Sequence, residues 1–251
     1  MRTRHSFIAL LILAVSARTL AEPSPPTLPP IPAGMGRIAG HIRSAGPAIS
    51  LPRQGGAVVT LGDGQLTPAQ SKDRQACGEP PAEPPLQLGN GGAVVNALVW
   101  APDGPVPAKG AHPAATAAVE QCRIVPHLIV TNPGAELSLI NRDALYHNVS
   151  GTGALKFSYA LVLKGHAVPV HMKKPGLTVL GSTNHPWMHA FVQVLPTAVW
   201  GLTGADGSYF IDLPPGRHGL KVWHEQLGEQ LDLVDVHAGG TTLKDFTFAP
   251  R

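Results

Sequence analysis

Apolar and polar positions alternate in short stretches along the chain, and clusters of Gly, Pro, Asn and Asp separate them. Period-two alternation bounded by turn residues reads as β-strand. Residues 36–42 (GRIAGHI), 57–61 (AVVTL) and 93–100 (AVVNALVW) predict three strands in the first half. Residues 124–131 and 136–141 predict two more, separated by the turn signal Asn132-Pro133-Gly134. Residues 160–163, 167–172, 177–180 and 190–195 continue the series, with Lys173-Lys174-Pro175-Gly176 as a further turn. The tail alternates at 209–213, 218–224, 231–236 and 242–248, around turns at Asp206-Gly207 and Pro214-Pro215-Gly216. Residues 62–91 and 101–119 are polar or Pro/Ala-rich and read as loops. No helix longer than a few turns is predicted, so the expected fold is an all-β antiparallel sandwich.

Composition agrees with this pattern and adds a compartment. Gly (28) and Pro (26) are abundant without a strict period, which suits many short strands and turns. Arg2 and Arg4 precede a short apolar run at residues 7–15, and small residues follow at Thr19 and Ala21. This is the layout of a secretory signal peptide over residues 1–21. The run is well short of the roughly 20 residues that span a bilayer. No later segment is apolar enough to span, so an exported chain without a membrane span is expected. Residues 22–35 are Pro-rich and predict an extended linker. The 19 basic side chains include Arg2, Arg4 and Arg18; without them 16 face 16 acidic ones. A near-neutral mature chain lacks the basic footprint of a nucleic-acid binder.

Two cysteines, Cys77 and Cys122, in an exported chain read first as one disulfide, with a thiolate ligand as the alternative. Neither lies near the His-rich segments in sequence, which favours the disulfide. Those segments are residues 141–149 (NRDALYHNV) and 182–190 (STNHPWMHA). Each sets a His at a strand end, and His185 is followed three residues later by Met188. A nitrogen donor and a soft thioether on one loop suit copper, whose reduced form prefers soft ligands. Paired carboxylates are not conspicuous beside these histidines.

The pieces 93–100, Cys122 with Pro126-His127, 134–139, His147-Asn148-Val149, 157–165 and His185-Pro186-Trp187-Met188 together resemble the cupredoxin-like copper proteins of bacterial periplasms. The resemblance implies copper ligands His147, His185 and Met188. It also implies a Cys three residues before the loop His, where this chain has Ser182. A blue centre needs a short copper–thiolate bond, so Ser182 implies a non-blue site of weaker Cu(II) affinity. His166, His171, Met172 and His189 are further candidate donors. His127 reads as structural, and His41, His112, His218 and His237 as solvated or structural.

Residues 202–225 are similar to a carboxypeptidase-regulatory-like β-sandwich, a non-catalytic module. The expectation is therefore a Greek-key cupredoxin-like sandwich over residues 36–196 and a smaller carboxypeptidase-regulatory-like β-sandwich over 197–251. The strand at 36–42 resembles the start of the second module and is a candidate member of it. Trp223-His224-Glu225 reads as a surface feature. The implied function is a periplasmic copper carrier or buffer, or a relative of an electron-transfer protein, whose partner is a periplasmic redox or copper-handling protein. The alternative is an interaction module with a decayed metal site. No phosphate loop, nucleophile elbow or metalloprotease helix is present, so no enzyme is expected.

Overall fold

The computed structural model describes residues 28–46, 73, 75, 77–78, 86, 88–108 and 114–249. The export segment, residues 22–27, the strand expected at 57–61, most of the loop at 62–91 and His112 lie outside these residues. The chain divides into a unit ending at Pro30 and a unit from Ile31 to Arg251, to which everything below belongs. Residues 31–35 of the expected linker carry no strand or helix.

The protein is all-β. Two sheets enclose one core. Strand β1 (Gly36–Ser44) pairs antiparallel with β13 (Ser208–Leu213) and parallel with β16 (Thr241–Leu243) and β17 (Phe246–Phe248). Facing it, β2 (Leu98–Trp100) lies between β12 (Trp200–Leu202) and β14 (Gly216–His224), and β14 forms a long hairpin with β15 (Gly228–Val236). Ile38, Ile42, Val99, Ile211, Val222 and Phe246 meet between the sheets. Gly40 lets β1 pass against the later backbone, since a Cβ there would sit 1.9 Å from the Lys244 carbonyl. Arg37 is buried in β1 and reaches its cross-strand partner Asp212 through two hydrogen bonds of 2.7 and 2.8 Å.

A second sandwich holds the candidate site. One sheet runs β4 (Arg123–Val125), β3 (Ala115–Glu120), β6 (Glu136–Asn141), β9 (Ala167–His171). The other runs β5 (Leu128–Thr131), β11 (His189–Val194), β10 (Gly176–Gly181), β7 (His147–Gly153), β8 (Phe157–Leu161). Leu137, Leu139, Val149, Leu180 and Val192 fill its core. The chain steps from sheet to sheet between β5, β6 and β7 and again between β8, β9 and β10, as in a sandwich whose layers are built together.

Several expectations change. Leu98–Trp100, expected in the copper-type region 36–196, hydrogen-bonds to β12 and β14 instead. The β1 strand likewise pairs with β13, β16 and β17. The run at 124–131 is two strands in different sheets, because Pro126 has no N–H to continue a ladder. Part of the loop expected at 101–119 is β3, whose small Ala side chains are buried beside β4 and β6. The sandwich is not wholly antiparallel: β3 with β6, and β11 with β5, are parallel.

Candidate metal centre

The ends of three connections meet at one edge of the second sandwich. Val119 pairs with Asn141, so the β3–β4 turn lies beside the β6–β7 loop, and the Arg142 amide donates to the Val119 carbonyl at 2.8 Å. Gly181 pairs with both Ser150 and His189, which brings the β10–β11 loop alongside β7. His147 is the first residue of β7 rather than a loop residue, and His185 lies in the β10–β11 loop; both are fully buried. Their Nδ1 atoms stand 3.2 Å apart.

Each ring faces a carboxylate that sequence reasoning did not pick out. His147 Nε2 donates to Asp143 Oδ2 at 3.0 Å. The carboxylate accepts only, so the proton of His147 sits on Nε2 and its Nδ1 presents a lone pair towards His185. His185 Nε2 comes within 3.4 Å of Asp73 Oδ2 but is not aligned into a hydrogen bond, and it has no other partner among the described residues. Burial pushes both imidazoles below their ordinary 6.5. Asp143 opposes that for His147. For His185 the neighbouring His147 adds to it and Asp73 opposes it. Neutral imidazole is the form that ligates a metal.

Two lone pairs cannot face each other at 3.2 Å with nothing between them. Either a proton or a metal ion joins the Nδ1 atoms. At that separation His147 and His185 could both serve as nitrogen donors to one ion. The proton of His185 would then sit on Nε2, facing Asp73. The donor set therefore fits a metal ion, and the unpaired Nε2 of His185 is the atom that the change of tautomer would satisfy.

Met188 is buried, and its amide donates to the His185 carbonyl at 2.8 Å, so the expected thioether rides on the same tight turn as His185. Ser182 behaves otherwise. Its hydroxyl donates to Asn148 Oδ1 at 2.9 Å and accepts the His185 amide at 3.2 Å. Asn148 also accepts the Asn184 amide and donates to Thr183. Ser182 thus shapes the loop that aims His185.

The other candidate donors stand elsewhere. His171 pairs with Glu136 at the start of β6, whereas Asp143 and His147 follow the end of β6, six residues or about 17 Å along the strand. Met172 is buried at that same far end, bonded through its backbone to Gly134 and Ala135. His166 is exposed. His189 bonds to the Trp187 carbonyl and stacks edge-on to His127, at 4.9 Å between rings. His127 pairs with Glu225. Burial pushes the Glu225 carboxyl up, but His127, His224 and His189 outweigh it and hold it below the ordinary range. Neither His224 nor Glu225 is the surface feature expected, for His224 is buried and Glu225 nearly so.

The Cys77–Cys122 disulfide is formed, with Cα atoms 5.5 Å apart. Its distance from the histidines in sequence is misleading. Cys122 Sγ, an Asp143 oxygen and a His147 nitrogen all lie within 4.8 Å of one another, and so do both sulfurs and a His185 nitrogen. Cys122 occupies the second central position of a two-residue turn between Glu120 and Arg123, with φ of +51° at Gln121 and +54° at Cys122. That primed geometry usually calls for Gly or Asn. Here Asp143 holds it by accepting both turn amides, at 2.8 and 2.9 Å, and Trp187 donates to the Cys122 carbonyl at 3.0 Å. The only signal in the sequence was Asp143 itself, four residues before His147.

No protein-family model matches the chain, and no curated protein does. Solved structures of copper proteins match parts of it. A Cu-containing nitrite reductase from Thermus scotoductus SA-01 matches at 18% identity and TM-score 0.31, over 32% of this chain and 22% of the reductase chain. A purple cupredoxin from Nitrosopumilus maritimus matches at 16% identity and TM-score 0.29, over 32% of this chain and 98% of the cupredoxin. A reduced, Cu(I) form of an amicyanin variant matches at 20% identity and TM-score 0.30, over 39% of this chain and 98% of amicyanin. At TM-scores near 0.3 these likenesses carry no argument about function; the donors described above do.

Proposed function

We propose that this chain is an exported copper-binding protein whose ion is held by His147 and His185 with Met188 on the same loop. The single observation behind this reading is the pair of buried, neutral imidazoles whose Nδ1 atoms face each other at 3.2 Å. Buried polar groups normally find partners, and His185 Nε2 has only the misaligned 3.4 Å approach of Asp73 Oδ2. Asp143 and Asp73 fix or receive the outer nitrogens, as carboxylates do behind metal-bound histidines.

The role is that of a copper carrier or buffer. Two neutral nitrogens and a thioether suit Cu(I). With Ser182 occupied in the loop and both cysteines in a disulfide, no thiolate is offered for a blue Cu(II) centre. The disulfide and the signal-like N-terminus support export to an oxidising compartment such as the periplasm. No helix among the described residues is long and apolar enough to cross a membrane. The partner is a periplasmic redox or copper-handling protein. The other sandwich is a carboxypeptidase-regulatory-like scaffold without catalysis.

The test is a Cu(I) competition titration of wild type beside His147→Ala/His185→Ala. One equivalent bound by the wild type and lost in the double variant is expected. Equal, weak binding by both would move the assignment to an interaction module.

A further inference from the structure

The position of the disulfide has a consequence that a structural cross-link does not require. Donor atoms on one ion, bonded at about 2.0–2.3 Å, lie at most about 4.6 Å apart. Cys122 Sγ is close to that scale with respect to both histidines, lying within 4.8 Å of a His147 nitrogen and of a His185 nitrogen. The residue is held there by more than its disulfide. Its amide is bound to Asp143 Oδ2, which also holds His147. Its carbonyl is bound to Trp187, two residues from His185. It is buried. The Cys122 backbone is therefore held beside the two imidazoles by contacts that do not involve the sulfur. Independently, the buried Nε2 of His185 faces Asp73 Oδ2 at 3.4 Å without forming an aligned hydrogen bond, as expected of a ring whose tautomer changes when an ion arrives.

We propose that the Cys77–Cys122 disulfide is a redox latch on this metal centre, and that its reduction supplies the Cys122 thiolate as a third strong ligand beside His147 and His185. The proposal rests on the histidine pair being a metal site. The reductant is a dithiol, acting by thiol–disulfide exchange. The Cys77–Cys122 bond breaks and the dithiol closes to its own disulfide. Two electrons pass to the cysteine sulfurs, and the two thiol protons pass with them, leaving Cys77 and Cys122 as thiols. The Cys122 proton then leaves to solvent as the sulfur joins the ion. The thiolate comes from the tip of the β3–β4 hairpin instead of from position 182. The oxidised form offers neutral donors only; the reduced form adds a soft anionic donor and holds copper more tightly.

The experiment uses Co(II) on the full chain without oxygen, because a Co(II)–thiolate bond gives a near-ultraviolet charge-transfer band and cobalt does not oxidise the thiol. Four samples are compared: oxidised wild type, wild type reduced with a phosphine and desalted, Cys77→Ser, and Cys77→Ser/Cys122→Ser. The band should saturate at one equivalent in reduced wild type and in Cys77→Ser, and be absent from the other two. Adding His185→Ala to Cys77→Ser should weaken cobalt binding at least tenfold. Cu(I) should bind at least tenfold more tightly to reduced than to oxidised wild type. Chemical reduction and Cys77→Ser reach the free thiol by separate routes, so misfolding of one, seen by circular dichroism, leaves the other to decide. No band in either, with Cu(I) still bound by oxidised wild type and lost in His147→Ala/His185→Ala, overturns the latch and leaves the histidine site standing. No band and no Cu(I) binding overturns both.

Discussion

Asp143 does three jobs with two oxygens. It accepts the Gln121 and Cys122 amides, which stabilises a turn with positive φ at two non-glycine residues, and it fixes the His147 tautomer. Asp143→Ala leaves the Cys122 amide and His147 Nε2, on two buried residues, without their acceptor, and a stranded buried donor costs about 1–3 kcal/mol. We expect a loss of about 2–4 kcal/mol in urea unfolding and a fall in Cu(I) affinity of about 10–100-fold, as for residues that orient metal-bound histidines. Unchanged affinity would mean that His147 is not a ligand. The histidines themselves set a pH dependence. Burial holds both rings below 6.5, so on acidification the unfolded chain takes up protons that the folded one does not. Their contribution to stability is fully present above pH 6.5 and is lost progressively below it. In chelator-treated protein the urea midpoint should fall as the pH is lowered from 7 to 5.5. His147→Ala/His185→Ala should flatten that part of the profile. That His147 and His185 lie close together was legible in the sequence, because each sits in a short segment at a strand end. Cys122 and Asp73 were not, because what brings them to the site is the pairing of β3 with β6 and the placing of the β1–β2 connection. Local patterning carries no information on such pairings.

Strands with clean alternation and turn chemistry were legible at their ends and to within three residues at their starts, as β13, β14 and β15 show. Four others were hidden for separate reasons. β3 is largely Ala, which lacks strand propensity and earns its place through burial in the sheet. β4 and β5 read as one run, since periodicity does not see the amide missing at Pro126. β7 begins with the site residues, and its glycines at 151 and 153 mask a strand pattern. At Gly151 a Cβ would lie 2.3 Å from the Phe157 ring on β8, so the small residue is what lets that ring lie over β7. The β1–β13 pair offers a test at this scale. Arg37 is buried, stacks 4.6 Å over Phe210 and is held bidentately by Asp212. Asp212→Ala removes two charge-assisted bonds from a buried cation and should cost about 2–3 kcal/mol in chemical unfolding. A loss below about 0.5 kcal/mol, typical of exposed pairs, would show that water replaces the carboxylate freely.

At the level of the whole molecule, the first sandwich is assembled from both ends of the described chain. β1 and β2 precede the second sandwich, and β12 to β17 follow it. Their core is separate from the one around Leu139 and Val192. A small cluster of Leu98, Trp100 and Leu195, with Leu128, Val130 and Trp223, bridges strands of both. The second sandwich is thus carried as an insertion between β2 and β12, and the disulfide ties the β1–β2 connection to its β3–β4 turn. This predicts unequal effects of shortening the chain. Deleting residues 241–251 removes β16 and β17, which flank β1 in parallel and contribute Phe246 and Phe248 to the first core. Hydrogen exchange should then show loss of protection at Ile38, Val99 and Val222. Amides in β6, β7, β10 and β11 should stay protected, and Cu(I) should still bind, because no residue of the site lies in the deleted segment. The opposite result, loss of protection in both sandwiches together, would mean that the Leu98–Trp100–Leu195 cluster and the disulfide couple the two cores into one cooperative unit. The β1–β2 connection would then set the stability of the metal centre as well as delivering Asp73 and Cys77 to it.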